Sequence, residues 1–237
     1  MRPALSFEAL AKGNRMLRRL IFPLLLGAAG IGVLCSLGIW QIQRMEMKRG
    51  YLAEIESRIA ANPVPLPVQP DPEADRYLPV FIEGQFTGES LEVLSSTKLG
   101  GVGVRVIGVF AAEGRRILID RGYLPEDARK TQLTVTAARV EGNLQWPQDS
   151  NQFTPPPDTK TGLWYARDVV AMSQVLNTEP VLIIARAPTG DGIDAMPVNT
   201  SGIPNDHWGY AITWFLLALV WAGMTVGLLW RMTRRAV

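Results

Sequence analysis

Two stretches of this 237-residue chain, 20–40 and 210–230, each run about 21 residues without a charged side chain. At ~1.5 Å per residue, such a stretch makes a helix of about 30 Å, the thickness of a hydrocarbon core. Each therefore reads as one membrane crossing. Pro23, Gly27, Gly30, Gly32 and Gly38 in the first stretch would weaken a soluble helix, yet Gly and Pro are common in membrane helices, where other groups satisfy the backbone. The 169 residues between the spans, 41–209, suffice for one core of their own.

Flanking charge sets the expected orientation. Arg2, Lys12, Arg15, Arg18 and Arg19 precede the first span against Glu8 alone, and Arg231, Arg234 and Arg235 follow the second with no acid. Basic residues gather on the cytoplasmic side, so both ends are expected in the cytoplasm and the central domain on the opposite face. Residues 20–230 carry 16 Lys and Arg against 21 Asp and Glu, a net charge of −5 where the whole chain has +2. A mildly acidic domain has no electrostatic footprint for nucleic acid. The first apolar run exceeds a signal peptide's core of about 7–15 residues, and no small-x-small site precedes Trp40, so the span reads as an uncleaved anchor. Cys35, the only cysteine, lies mid-span behind Leu34 rather than a small residue, which argues against a lipoprotein and leaves the central domain without disulfides. Only 19 residues precede the first span, too few for a transit peptide with its flank. The expected location is a bacterial inner membrane with the domain in the periplasm.

The first helix is expected to run on past the membrane. No proline occurs from Gln41 to Ala61, Leu52, Ile55 and Ile59 recur at helical spacing, and Glu54 and Arg58 form an i,i+4 pair. Asn62-Pro63 ends it, and Pro63, Pro65, Pro67, Pro70 and Pro72 predict an extended strap. Short runs rich in Val, Ile, Leu, Thr and Phe at 78–86, 91–95, 102–110, 116–121, 133–144 and 181–187 predict strands. Glu113-Gly114 suits a hairpin turn. One short helix is expected over 165–177, and 155–157 and 188–205 read as surface loops. The fold class is thus a membrane protein in which two transmembrane α-helices flank a mainly antiparallel β (α+β, barrel-like) soluble domain. Its parts are tails at 1–19 and 231–237, spans at 20–40 and 210–230, a helical extension at 41–62 and a β-rich domain at 63–209.

The chemistry available is narrow. One histidine and one membrane-embedded cysteine cannot form the usual zinc ligand sets, and any triad would have to use His207. The acids show no spacing that singles out a catalytic pair, so an anchored hydrolase is a distant alternative to a non-enzymatic role. Gly100-Gly101-Val102-Gly103 lacks the Gly-Lys-Ser/Thr ending of a phosphate loop and reads as a strand-flanking turn. His207, three positions before the second span and preceded by Asp206, has two readings: an interfacial structural residue, or an axial haem ligand set among Trp208, Tyr210, Trp214 and Trp221. Such aromatics are common at any membrane interface. Arg121, at a predicted strand end, reads locally as an exposed charge or a surface ion pair.

Three motifs taken together resemble the surfeit locus protein one family. They are Leu37-Gly38-Ile39-Trp40-Gln41-Ile42-Gln43-Arg44 with Lys48, then Ile119-Asp120-Arg121-Gly122-Tyr123-Leu124-Pro125, and finally Pro204-Asn205-Asp206-His207-Trp208-Gly209-Tyr210-Ala211-Ile212-Thr213-Trp214. Gly84-Gln85-Phe86 and Trp164-Tyr165 with Arg167-Asp168 fall in the same order. The sequence departs from the family's common residues at Asp120, Tyr123 and Asp206. The resemblance implies an assembly factor for haem-copper cytochrome c oxidase that assists delivery of haem a to the catalytic subunit, with His207 as the axial candidate. Trp40, Arg44, Lys48, Trp208, Tyr210 and Trp214 would support the haem, and Arg121, Gly122 and Asn205 would serve structure or partner binding. The partners implied are the oxidase's haem-bearing subunit, haem a synthase and membrane lipid. A scaffold that binds only protein is the alternative.

Because both spans cross one bilayer, Arg44 and His207 are expected at similar depth, with Arg44 or Lys48 available to haem propionates. Both would otherwise snorkel to lipid phosphates. A reporter fused after Val237 is expected to be active only in the cytoplasm, and one inserted near Pro156 only outside; reversed activities would overturn this topology.

Overall fold

The computed structural model describes residues 5–98, 100–129, 133, 137–158 and 160–234, with side chains from Arg19 onward except Ala137. Arg2 and Arg235 of the expected basic tails, and 134–136 of the expected 133–144 strand, lie outside the described residues, as do the side chains of Glu8, Lys12, Arg15 and Arg18. In chain order the elements are α1 (Leu5–Ile59), β1 (Val64–Pro65), β2 (Pro79–Thr97), β3 (Gly101–Ala112), β4 (Arg115–Pro125), β5 (Ala137–Leu144), β6 (Leu163–Trp164), α2 (Val169–Leu176), β7 (Leu182–Ala185) and α3 (His207–Arg234). They form two compact units, one of Met1–Leu52 with Ile203–Val237, the other of Ala53–Gly202.

The first unit is a pair of helices. α1 and α3 each carry an apolar stretch long enough to cross a membrane, and only 6% of either stretch is buried. A core helix of a soluble protein would hide that surface; here it faces outward, as lipid contact requires. Small residues let the two helices meet. A Cβ added at Gly27 would lie 2.2 Å from Thr225, at Gly30 2.4 Å from Trp221 and at Gly38 2.7 Å from Phe215. The glycines leave room for those bulkier side chains, the usual device where no hydrophobic drive separates helix from lipid. Ala211 and Ala218, seven apart on α3, are buried in the same way.

The second unit is a five-stranded barrel. Its strands hydrogen-bond in the ring β2–β3–β4–β7–β5 and back to β2. Every neighbouring pair is antiparallel except β4 with β7. This is a Greek-key closure of the sheet on itself. The two strands expected over 78–86 and 91–95 are one 19-residue strand. Gly88, at φ 86°, and a register shift between Phe86 and Ser90 bend it. Residues 79–85 consequently pair with β5 while 85–97 pair with β3. The Gly-Glu-Ser run reads as a break locally because a bulge uses the same residues as a turn.

Burial on both faces explains the apolar runs. In β4, Ile117 and Ile119 join Phe86, Phe110, Val140 and Ile183 in the main core. Leu118 between them joins Val93, Ile107, Met172 and Leu182 in a second cluster, which α2 covers. Phe86 and Phe110 meet edge to face, with centroids 4.9 Å apart. The short helix is narrower than the expected 165–177. Asp168 accepts a hydrogen bond from Ala171 N at 3.0 Å and Asn177 adopts the left-handed region at φ 50°, so caps stop it at both ends. The turn at Glu113-Gly114 has φ of 50° and 79°, the paired positive values of a tight hairpin. α1 ends where Ile59 O accepts from Asn143 Nδ2 at 3.2 Å and from Arg186 Nη2.

β4 does not stop at Arg121 as the sequence pattern implied; it runs on to Pro125. Gly122 makes that continuation possible. Its φ is 118°, and a Cβ there would sit 2.0 Å from the carbonyl oxygen of Asp194, whose backbone exchanges hydrogen bonds of 2.8 and 2.9 Å with Tyr123. Gly122→Ala is expected to destabilise the barrel by about 1–3 kcal/mol, read as a fall of several degrees in its thermal unfolding midpoint. An unchanged midpoint would contradict this packing.

Candidate functional site

Two groups of polar side chains stand apart from the apolar packing. The first lies within the barrel around the Asp120-Arg121-Gly122 run. Val106 pairs with Gly122 and Ile107 with Asp120, which leaves Arg121 as the extra residue of a β-bulge. Asp120 is fully buried and Arg121 is 2% exposed. The Asp120 carboxylate accepts from Arg105 Nε at 2.9 Å and Arg105 Nη2 at 2.9 Å, and from Arg167 Nη1 at 3.3 Å. Arg167 also donates to Asp149 at 2.6 Å. Burial lowers the Arg167 pKa, but the Asp149 hydrogen bond and the charges of Asp120 and Asp149 outweigh it, and the net shift is upward.

Arg121 itself points elsewhere. Its Nε donates to Thr189 Oγ1 at 2.8 Å, and its Nη2 to Thr189 O at 3.1 Å and Asp191 Oδ2 at 2.8 Å. The guanidinium lies 4.4 Å from the centroid of the Phe86 ring. This corrects the local reading of Arg121 as an exposed or surface charge. Bulge geometry turns it inward, where it fastens the loop after β7 to the barrel.

The second group lies in the helix pair. His207 is the first residue of α3, so the helix begins three residues ahead of the span expected from 210. Asp206 O accepts from Gly209 N at 3.1 Å and Tyr210 N at 3.4 Å, so the helix begins at the histidine. The imidazole Nδ1 lies 2.8 Å from Gln41 Oε1. Two turns further along the same face of α1, Lys48 Nζ donates to Pro204 O, and Met45 between them is buried. Gln41, Met45 and Lys48 thus occupy i, i+4 and i+7, one helix stripe.

Of the residues expected to share a site with His207, Lys48 meets the segment leading into it and Arg44 does not. Arg44 is exposed and makes no hydrogen bond or ion pair among the described residues. Trp40, Trp208 and Tyr210 are exposed on the helices, and Trp214 is half-buried. Asn205 Oδ1 is buried without a hydrogen-bond partner among the described residues. Gln41 is the residue that sequence reasoning missed as a site member, although it stands inside the motif beside Trp40. Its helical spacing to Lys48 was the available signal.

The imidazole arrangement suits a metal ligand. An amide oxygen only accepts, so the contact with Gln41 calls for a proton on Nδ1, while Nε2 has no hydrogen-bond partner among the described residues. The aromatic rings near it in sequence offer flat apolar surface.

A barrel domain carried between two membrane-length helices, with a lone imidazole at the head of the second, defines a membrane-anchored class of protein. Residues 28–219 match the SURF1 family. The chain is similar to Surfeit locus protein 1 of Rattus norvegicus, 28% identical over 205 residues that cover 76% of this chain and 67% of that protein. The Homo sapiens protein of the same name is 29% identical over 211 residues, 77% of this chain and 69% of that one. A SURF1-like protein of Monosiga brevicollis is 30% identical over 213 residues, 81% of each. The chain belongs to the SURF1 family.

Arg121→Met removes the cation from a buried pair, and is expected to lower barrel stability by about 3–5 kcal/mol in denaturant unfolding. Arg44→Ala should stay within about 0.5 kcal/mol of wild type. Equal effects of the two would refute the assignment of Arg121 to structure.

Proposed function

We propose that this protein is an assembly factor for haem-copper cytochrome c oxidase in a bacterial inner membrane, holding haem a as cargo on its way to the catalytic subunit. Membership of the SURF1 family supports the assembly role. The observation that carries the haem reading is the His207 imidazole, bonded through Nδ1 to Gln41 Oε1 and open at Nε2. Neutral imidazole with its second nitrogen anchored is the form in which histidine binds haem iron.

The chain's own residues divide the work. His207 supplies the axial nitrogen. Trp208, Tyr210 and Trp214 supply apolar and aromatic surface for the macrocycle, and Trp40 contributes from α1. Lys48, and the exposed Arg44, are the cations for propionate groups, with arginine suited to carboxylates by its planar fork. The orphaned Asn205 Oδ1 is an acceptor for a donor on the cargo or on the receiving subunit. Haem a synthase is the natural source of the cargo. Both ends of the chain lie in the cytoplasm and the barrel in the periplasm, in keeping with the basic tails.

Protein purified from cells that also make haem a is expected to show a haem a Soret band, and His207→Ala to abolish it while the barrel's circular dichroism is unchanged. Arg44→Ala is expected to keep the ligated spectrum with weaker retention. If haem a titrates equally into wild type and both variants, the site reading fails and the chain acts instead as a protein-binding scaffold for the oxidase subunit.

A further inference from the structure

His207 is the only histidine in the chain, and what holds it is the amide of Gln41 rather than any of the flanking aromatics. With Oε1 at 2.8 Å from Nδ1, the nitrogen must donate, because an amide oxygen has no proton to give. In a neutral ring this leaves the lone pair on Nε2. A free histidine side chain favours the opposite tautomer, with its proton on Nε2. We propose that Gln41 is a positioning residue that inverts this preference, holding His207 as the Nδ1–H tautomer so that Nε2 is the ligating atom. The ligating part of this inference rests on the haem reading above; the tautomer does not.

The helix stripe makes the hydrogen bond specific. Lys48 Nζ donates to Pro204 O, and Met45 is buried between Lys48 and Gln41. Positions i and i+7 of α1 therefore grip residues three apart in the segment that opens α3, at Pro204 and His207. Two grips fix both the approach and the rotation of the imidazole, where one would leave the ring free to turn. Histidines that bind metals characteristically donate their second ring N–H to an oxygen, which orients the ring and makes the ligating nitrogen more basic. Gln41 supplies that oxygen from the opposite helix, 166 residues away in sequence. Glutamate could take its place as acceptor; leucine could fill its volume but not its role.

The test uses the full chain in nanodiscs, purified through a tag that contains no histidine and labelled with nitrogen-15 histidine, so that every imidazole signal belongs to His207. Without haem, and in mildly alkaline buffer, wild type is expected to show a protonated Nδ1 and an unprotonated Nε2. Gln41→Leu should move the ring toward Nε2–H, and Gln41→Glu should restore Nδ1–H. Haem a added to the same samples should bind about 10- to 100-fold more weakly to Gln41→Leu, with most of the loss recovered in Gln41→Glu. A wild-type ring protonated on Nε2 would overturn the proposal whether or not haem binds, and so would equal haem affinity in wild type and Gln41→Leu. Wild type that carries Nδ1–H but gives no haem a spectrum would instead overturn the haem reading, and with it the ligating role of Nε2.

Discussion

Hydrocarbon offers no hydrogen-bond partner to a peptide group, and the arrangement around His207 depends on that constraint. The chain can cross only as helices that satisfy their own backbones. Lipid is as apolar as leucine, so hydrophobicity alone does not bring two such helices together. Close approach at glycine does, where Thr225, Trp221 and Phe215 fill the space that side chains at Gly27, Gly30 and Gly38 would occupy. Once the helices are paired, residues at the head of α3 fall opposite a defined stripe of α1. The contacts of Gln41 with His207 and of Lys48 with Pro204 are the polar end of that same seam.

The barrel solves a different problem. With both faces of β4 packed, by the interior cluster on one side and α2 on the other, any charge placed there must carry its own partner. Asp120 and Arg121, neighbours in sequence with opposite charges, are each neutralised by different residues: Asp120 by Arg105 and Arg167, Arg121 by Asp191. The bulge at Arg121 is what separates the two networks. A regular strand would send adjacent side chains to opposite faces at fixed positions, whereas the extra residue re-aims Arg121 toward Phe86 and Thr189. Thr189, Asp191 and Asp194 are thereby tied to β4, and Met196 to Arg105 of β3, so polar contacts hold an otherwise irregular segment. Replacing such pairs with apolar residues is often neutral or stabilising, so their value here lies in fixing one path for that segment.

The proposed role as a haem carrier draws on the order of the helix pair. A carrier of haem must hold iron firmly enough to move it and loosely enough to give it up. For that proposed role, a lone imidazole near the exposed rings of Trp40, Trp208 and Tyr210 is better suited than an enclosed pocket would be. The direction of that imidazole is set by one amide, Gln41, which stands outside the proposed ligand contact.

The two membrane-length helices, the β-rich domain between them and the hairpin at Glu113-Gly114 were legible in the sequence. These rest on local signals, a charge-free run, a period or a turn residue, each readable within a few positions. The sequence also contained the motifs that mark the family. Packing of distant segments was needed to show that β2 is one bent strand rather than two, that the ring of strands closes with β4 and β7 parallel, that Arg121 is buried, and that Gln41 rather than Arg44 meets His207. Each of these depends on a partner far along the chain: Asp191 is 70 residues from Arg121, and His207 is 166 from Gln41. A periodic pattern shows which face of an element is apolar. It does not show which distant side chain will lie against it, because that is set by the packing of all the elements at once.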